Sequence, residues 1–309
     1  MNGPLALICQ GGAGVLADRA ASAKGLAEAL KKGYQLLRQS ADALDVVVEA
    51  VRTMEDDPVF NAGTGSSLNL EGVAEMDAGL MTQDGRFGGV CAVTDVRNPV
   101  LLARKVMTET DHVLLSGAGA EAFARRMGFA GFDVVTEASR EKLARLKQDG
   151  GSVLFPKPAS QLKMGTVGAV AFDKHGSLAA ATSSGGMNGR LPGRVGDAAI
   201  PGAGTYAGPT GAVSCTGHGE AIIRVMLGRD VVDRMKTVPA STAAILAMAE
   251  MKRRKLMCGL VGIDARGQVC FGHSTPDMAW GYMTADKLFL FSDSDGERRK
   301  MRTQGSITK

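Results

Sequence analysis

The sequence is poor in the features that mark membrane, exported and disulfide-rich proteins. No stretch approaches the 18 apolar residues that a membrane-spanning helix needs, and the apolar run at 4–9 is too short for a secretory signal and follows no basic segment. The five cysteines form no C-x-x-C pair and lie mainly in apolar runs, so we expect them to be reduced and buried. These absences predict a cytoplasmic protein with no membrane partner.

Aromatic residues and unbalanced charge are also scarce. Aromatic residues make up 5% of the 309 residues, which leaves few surfaces on which nucleic-acid bases could stack, and the formal net charge is +4. The one local basic excess, at 296–309, is more typical of a solvated chain end than of a nucleic-acid-binding arm. The segment VFNAGTGSS at 59–67 lacks the lysine of a phosphate-binding loop. We therefore expect no nucleic-acid partner and no bound nucleotide.

The apolar residues form strand and helix patterns along a chain that is long enough for one or two domains. The run at 5–9 predicts a buried strand that leaves its sheet through the glycine turn at 11–14. Glycine, proline and polar residues at about 150–165 predict a mobile link. Helical spacing predicts two helices over 19–55 and further helices at 100–110, 119–128 and 137–149.

Turn signals between apolar runs predict three β-hairpins. Asp84 and Gly85 form one signal, and the segments 167–184 and 260–275 each contain two apolar runs separated by D-x-x-G. Because the strands cluster and can be joined by tight turns, the order favours an α+β fold with mainly antiparallel sheets over a βαβ repeat. A four-layer αββα sandwich satisfies this pattern, as do other α+β folds.

Thr166 stands between two glycines at the first position of a predicted strand. Cleavage of the bond between Gly165 and Thr166 would give Thr166 a free α-amine with a reference pKa near 8, which could accept the proton of the adjacent hydroxyl. One residue would then supply both nucleophile and base. The same pattern is also that of an ordinary strand start.

Two nearby segments contain residues that could act with Thr166. Ser184, in TSSGG, lies at the open end of the same predicted hairpin and could orient the nucleophile, although the segment is also a turn signal. Arg194 and Asp197, in LPGRVGD, could bind the α-carboxylate and the α-ammonium of an amino acid. The alternative for that pair is an ordinary surface ion pair.

The segment SCTGHGE at 214–220 ends an apolar run with a hydroxyl and two glycines. Thr216 and the backbone amide of Gly217 could stabilise the oxyanion of a tetrahedral intermediate. His218 could act as a general base, but a histidine among glycines is more often a solvated turn residue.

Together, these motifs resemble the plant-type L-asparaginase and isoaspartyl aminopeptidase family of N-terminal nucleophile hydrolases. The likeness extends over most of the chain and includes several long, nearly contiguous segments. They are GGAG, DPVFNAGTG, MDAGLM, RNPVLLARKVM, KMGTVGAVAFD, AAATSSGGM, LPGRVGD, GAGTYA, SCTGHGE and AWGY.

The resemblance implies a precursor that cleaves itself before Thr166 into subunits of residues 1–165 and 166–309. It implies the αββα sandwich, a dimer of these heterodimers, and hydrolysis of L-asparagine and β-aspartyl dipeptides without a required cofactor. Thr166 would be the nucleophile and, through its amine, the base. Ser184 would support the nucleophile, and Arg194 and Asp197 would bind the substrate. Thr216 and Gly217 would stabilise the oxyanion and contact the substrate, with Gly219 lining the site. Asn61 would form part of the oxyanion hole or hold the cleavage region in place.

The resemblance also implies a sodium-binding loop built from backbone carbonyls, and it leaves three departures. Gln10 replaces a histidine that many members have before GGAG, Ser184 replaces a threonine, and His218 stands where we expect threonine or an acidic residue. The first two substitutions should preserve activity, and the third should alter substrate preference. The carbonyls implied for sodium are those of Met54, Glu55, Asp57, Phe60, Ala62 and Thr64.

Two other functions fit the same residues. Glycosylasparaginases share the nucleophile hairpin and the PGRVGD loop but are typically exported, and the GGAG start argues against them. A non-catalytic relative could keep Arg194 and Asp197 as an amino-acid sensor, and cleavage before Thr166 would separate it from an enzyme.

Overall fold

The structure, a computed structural model, describes residues 4–149 and 165–292. The predicted link at about 150–165, apart from Gly165, and the basic segment at 296–309 lie outside the described residues. The described strands are β1 (Ala6–Gly14), β2 (Met76–Thr82), β3 (Phe87–Val93), β4 (Leu114–Ser116), β5 (Val167–Phe172), β6 (Leu178–Ser184), β7 (Thr205–Gly208), β8 (Gly211–Gly217), β9 (Cys258–Asp264), β10 (Val269–His273), β11 (Asp277–Thr284) and β12 (Lys287–Leu290).

The helices lie where the helical spacing predicts them, with three more in the second half of the chain. Leu26, Leu30 and Leu37 of the first helix are buried at that spacing and face the core. The helices are α1 (Arg19–Arg38), α2 (Ala43–Glu55), α3 (Pro99–Glu109), α4 (Gly117–Arg126), α5 (Glu137–Gln148), α6 (Gly219–Val225), α7 (Leu227–Arg234) and α8 (Ala240–Arg253).

Two sheets pack face to face between layers of helices. The large sheet has the order β12-β11-β1-β5-β6-β2-β3-β4, and the small sheet has the order β10-β9-β8-β7. The outer face of the large sheet is covered by α1, α2 and α3, and that of the small sheet by α7 and α8. Since β1, β5 and β6 pack against β8 and β9, the layers are helix, sheet, sheet, helix. The predicted α+β sandwich is confirmed.

All three predicted hairpins are present, formed by β2 with β3, β5 with β6, and β9 with β10. Their turns follow from local chemistry. The carboxylate of Asp173 accepts hydrogen bonds from the amides of His175 and Ser177, and Asp264 makes the equivalent bonds after β9. An aspartate that binds its own turn in this way favours a tight connection.

The prediction that the first strand leaves the sheet at its glycines is wrong. β1 continues through them to Gly14 and stays paired with β11, with a shift of register between Gln10 and Ala13. Gly12 and Gly14 have positive φ values of 110° and 143°, which a residue with a side chain rarely adopts. The glycines therefore form an irregular step inside the strand and not a turn out of it.

Five of the described strands have no sequence prediction, namely β4, β7, β8, β11 and β12. β4 has only three residues and pairs in parallel with β3, the only parallel pairing among the named strands that the structure describes. β11 and β12 form a hairpin beside β1, where the rings of Tyr282 and Phe289 stack with centroids 4.7 Å apart. Together with β1, this hairpin completes the side of the large sheet that borders β5.

The cysteine prediction is confirmed, because all five cysteines are buried and free. Within residues 4–149 and 165–292, every helix is too short or too polar to cross a membrane.

Candidate active site

Thr166 immediately precedes β5 and lies beside the end of β6. Because Val167 pairs with Ser183 across the hairpin, the next residue outward on each strand meets its counterpart at the open end. The hydroxyl oxygens of Thr166 and Ser184 are 3.0 Å apart, and both residues are buried. The predicted proximity of these two hydroxyls is therefore confirmed, while their chemical roles stay a prediction.

Three side chains direct hydrogen bonds at the carbonyl oxygen of Gly165, the residue before Thr166. The amide nitrogen of Asn61 donates at 2.9 Å, the hydroxyl of Thr166 at 2.7 Å and the hydroxyl of Ser184 at 3.4 Å. Donors that converge on a carbonyl oxygen draw electron density from its carbon and stabilise the oxyanion that an attack would produce. The bond between Gly165 and Thr166 is thus placed in an environment suited to its cleavage.

Hydrogen bonds fix both the oxygen and the nitrogen of the Asn61 side chain, and glycines at positions 12 and 165 allow the backbone to approach it closely. Its side-chain oxygen accepts a hydrogen bond from the amide of Ser67 at 2.7 Å, and its nitrogen donates to the carbonyl of Gly186 at 2.7 Å. A Cβ atom on Gly165 would lie 2.9 Å from the Cβ of Asn61, and one on Gly12 would lie 3.0 Å from the Cα of Gly165. Side chains at these two positions would push the backbone away from Asn61.

Arg194 forms its ion pair with Glu220 and not with Asp197. The Nε and Nη2 atoms of Arg194 donate to the two carboxylate oxygens of Glu220, each at 2.9 Å. The Arg194 side chain is 14% exposed and that of Glu220 is 33% exposed. The alternative of a surface ion pair between Arg194 and Asp197 is therefore wrong. Sequence reasoning missed Glu220, whose only signal was its place at the end of SCTGHGE.

Asp197 is buried beside Arg194 with one oxygen unsatisfied. Its Oδ2 atom has no hydrogen-bond partner, and burial raises the pKa of the carboxyl to about 7 against the opposing charge of Arg194. A Cβ atom on Gly219 would lie 2.7 Å from Nη2 of Arg194 and 2.9 Å from Oδ1 of Asp197. The structure thus brings Arg194, Asp197 and Gly219 together, and the free oxygen of Asp197 could accept from an ammonium group.

Two carboxylates at the start of β2 hold the loop that carries Arg194. Glu75 accepts from the amide of Gly193 at 2.9 Å, and Asp77 accepts from the amide of Gly196 at 2.7 Å. Asp77 also accepts from the amide of Ala92 at 2.9 Å and is 2% exposed. Sequence reasoning quoted Asp77 within MDAGLM without assigning it this role, because the loop it binds lies 119 residues further along the chain.

Thr216 and His218 contact different neighbours. The Thr216 hydroxyl, on β8, accepts from the amide of Ala13 at 3.3 Å, so it borders the glycine-rich step of β1. Gly217, the last residue of β8, has a positive φ of 125°. The Nε2 atom of His218 is 3.3 Å from Glu220, and burial lowers the pKa of His218. His218 is therefore a partner of Glu220, and its side chain is 26% exposed.

Gln10 is buried between the sheets, where its side chain hydrogen-bonds to the irregular segment of β1. Its oxygen accepts from the amide of Gly12 at 2.8 Å, and its nitrogen lies 3.5 Å from the hydroxyl of Ser214 and from the carbonyl of Cys215. Gln10 thus fixes the conformation of Gly12, which borders Gly165.

The loop after α2 exposes few side-chain ligands and several backbone carbonyls. Within the described part of the chain, no group of three or more His, Cys, Asp or Glu residues could hold a metal ion. The carbonyl oxygens of Pro58 and Phe60 would lie 2.7 and 2.9 Å from a Cβ atom on Gly65, so a side chain at this position would collide with the loop. Three of the carbonyls predicted to bind sodium already accept a backbone hydrogen bond. The carbonyl of Met54 accepts from the amide of Asp57, that of Glu55 from Thr64, and that of Asp57 from Phe60.

The carboxyl group of Glu55 is fully buried behind this loop. Its Oε1 atom accepts from the amide of Val100 at 3.0 Å, and its Oε2 atom has no partner. Burial raises the pKa of Glu55 to about 8. Glu55 is therefore largely protonated at neutral pH.

Comparisons with known proteins identify the family to which this chain belongs. The family model described as asparaginase (Asparaginase_2) matches residues 3–291. The plant-type L-asparaginase of Pyrococcus horikoshii is 40% identical over 90% of this chain and 96% of its own. The isoaspartyl peptidase/L-asparaginase of Homo sapiens is 41% identical over 94% of this chain and 97% of its own. The protein of the same name from Danio rerio is 43% identical over 91% of this chain and 93% of its own. This chain belongs to the asparaginase family.

Proposed function

We propose that this protein is a threonine amidohydrolase that processes itself before Thr166 and then hydrolyses L-asparagine and β-aspartyl dipeptides to release L-aspartate. The observation that supports this most directly is the convergence of Asn61, Ser184 and the Thr166 hydroxyl on the Gly165 carbonyl. The names of the relatives support the substrates.

In the first reaction, the Thr166 hydroxyl oxygen adds to the carbonyl carbon of Gly165 and the bond from that carbon to the Thr166 nitrogen breaks. The proton of the hydroxyl passes to the nitrogen, which becomes a free amine, and an ester joins the two residues. Water then hydrolyses the ester, which leaves a carboxylate on Gly165. Asn61 stabilises the oxyanion of this step, and the products are residues 1–165 and 166–309.

In the second reaction, the new amine of Thr166 accepts the proton of its own hydroxyl while the oxygen attacks the β-carbonyl carbon of the substrate. The proton then passes to the leaving nitrogen, which departs as ammonia or as the amine of an amino acid. Water hydrolyses the β-aspartyl ester and releases L-aspartate. Thr216 and the amide of Gly217 stabilise the oxyanion, and Ser184 orients the nucleophile.

Substrate binding falls to Arg194 and Asp197. A guanidinium binds the α-carboxylate, and the unsatisfied oxygen of Asp197 accepts from the α-ammonium, with Gly219 lining the space between them. The scissile carbonyl is positioned only through these α-groups, so their loss should be costly. Enzymes of this family generally need no cofactor; a sodium ion on the carbonyls of residues 54–64 would stabilise the loop that carries Asn61.

The proposal includes a cytoplasmic dimer of heterodimers, and it is tested by intact mass and by activity. Freshly purified protein should convert into two fragments, the second beginning at Thr166, and should then hydrolyse asparagine and a β-aspartyl dipeptide. Thr166→Ala should remain one chain and be inactive. A wild-type chain that stays whole and hydrolyses neither compound would refute the proposal, and turnover of glycosyl-asparagine alone would favour the glycosylasparaginase alternative.

A further inference from the structure

The ion pair between Arg194 and Glu220 uses one edge of the guanidinium and leaves another available. The carboxylate of Glu220 meets the side-on edge, formed by Nε and Nη2 of Arg194. An arginine has five N–H donors, and this pair uses two of them. Of the three that remain, one on Nη1 and one on Nη2 form the end-on edge, which has the geometry to bind a second carboxylate through two parallel bonds.

Neighbouring groups keep both partners in place. The loop that carries Arg194 is fixed because its backbone amides at Gly193 and Gly196 donate to the carboxylates of Glu75 and Asp77. A Cβ atom on Gly196 would lie 2.9 Å from Nη1, so the guanidinium rests against the backbone of its own loop. His218 lies 3.3 Å from the same oxygen of Glu220 that accepts from Nη2. Glu220 is thus held by two hydrogen bonds from Arg194, with the His218 ring beside it.

We propose that Glu220 is a positioning residue that holds Arg194 so that its end-on edge faces the α-carboxylate of the substrate. This proposal rests on the proposed function and adds to it the residue that sets the preference for a free α-carboxylate. Without Glu220, either edge of the Arg194 guanidinium could bind the substrate carboxylate. The Arg194 side chain would also occupy more rotamers in the free enzyme, so substrate binding would cost more conformational entropy. Glu220 itself does not contact the reacting atoms.

The test compares wild type with Glu220→Gln, which keeps the shape and removes the charge. We expect the KM for asparagine to rise about tenfold, the kcat to stay within twofold, and cleavage before Thr166 to proceed at the wild-type rate. The inhibitors L-aspartate and β-alanine, which lacks the α-carboxylate, separate this role from a general loosening of the site. Glu220→Gln should weaken inhibition by L-aspartate about tenfold and leave inhibition by β-alanine unchanged.

Two further variants make the test independent of folding. Glu250→Gln removes a comparable glutamate of α8, which pairs with Arg253 and Arg254, and should change none of these values. Arg194→Lys has no side-on edge, so Glu220→Gln should add no further rise in KM in that background.

The outcomes distinguish this proposal from the function on which it rests. If the wild type is active, any of three results would overturn the role of Glu220 alone. These are an unchanged KM in Glu220→Gln, equal losses of inhibition by L-aspartate and β-alanine, and additive effects on KM in the double variant. A wild type that hydrolyses neither asparagine nor a β-aspartyl dipeptide would overturn the proposed function and this proposal together.

Discussion

Replacing Asn61 by aspartate should slow cleavage before Thr166 by about 100- to 1,000-fold. The change keeps the oxygen that accepts from Ser67 and replaces the nitrogen, which donates to the carbonyls of Gly165 at 2.9 Å and of Gly186 at 2.7 Å, by an oxygen that cannot donate. The Thr166 hydroxyl gives up its own bond to this carbonyl when it attacks, and the bond from Ser184 is long, at 3.4 Å. Asn61 is therefore the principal donor left to the oxyanion, and the loss of one such donor costs about 3–4 kcal/mol.

The rate is best followed from synthesis of the chain. Samples from a cell-free translation, quenched at intervals and separated under denaturing conditions, give the fraction of intact chain with time. Asn188→Asp is the matched control, because Asn188 donates a similar bond to the carbonyl of Lys142 at 3.1 Å and has no contact with Gly165. Cleavage of Asn61→Asp within tenfold of wild type, in a folded protein, would refute the role of this amide.

Three other changes test the surroundings of the site. Ser184→Ala removes one neutral hydrogen bond to Thr166, which is worth about 1 kcal/mol, so kcat/KM should fall about fivefold. Ser184→Thr should restore kcat/KM. An unchanged kcat/KM in Ser184→Ala would contradict a role for Ser184. Gly219→Ala places a methyl group within 3 Å of the Arg194 and Asp197 side chains, so turnover should fall at least tenfold with cleavage unchanged, as measured by both assays. The raised pKa of Glu55 keeps the carboxyl protonated in the folded state at pH values where the unfolded chain has lost that proton. Its contribution to stability is therefore lost as pH rises from about 4.5 to about 8, by at most about 1.4 kcal/mol per pH unit, and denaturant unfolding of Glu55→Gln should show a flatter dependence on pH over this range.

The hairpins were predictable because their signals are local. Asp173 and Asp264 bind the amides of their own turns, so a few consecutive residues determine each connection. The meeting of Thr166 and Ser184 follows from the same hairpin, since antiparallel register fixes which residues face each other. The part of the candidate site that depends on one hairpin was therefore available from the sequence.

The remaining features depend on partners that are distant in sequence. β1 continues through its glycines because β11 pairs with it, and that strand lies more than 260 residues further along the chain. Arg194 pairs with Glu220, which is 26 residues away, and not with the nearby Asp197, because the position of α6 after β8 brings Glu220 to the guanidinium. Periodicity and spacing contain no information about such packing.

The fold also explains how the site could survive its own cleavage. In the large sheet, β5 and β6 of the proposed second subunit lie between β1 and β2 of the first, and β11 and β12 border β1 on its other side. Hydrogen bonds join the same two segments around the nucleophile, because Asn61 binds the carbonyl of Gly186 and the buried guanidinium of Arg190 binds the carbonyls of Ser67 and Glu75. Cutting the bond before Thr166 breaks none of these pairings. The proposed cut would therefore free the amine of Thr166 while both sheets and the surrounding side chains hold the residue in place.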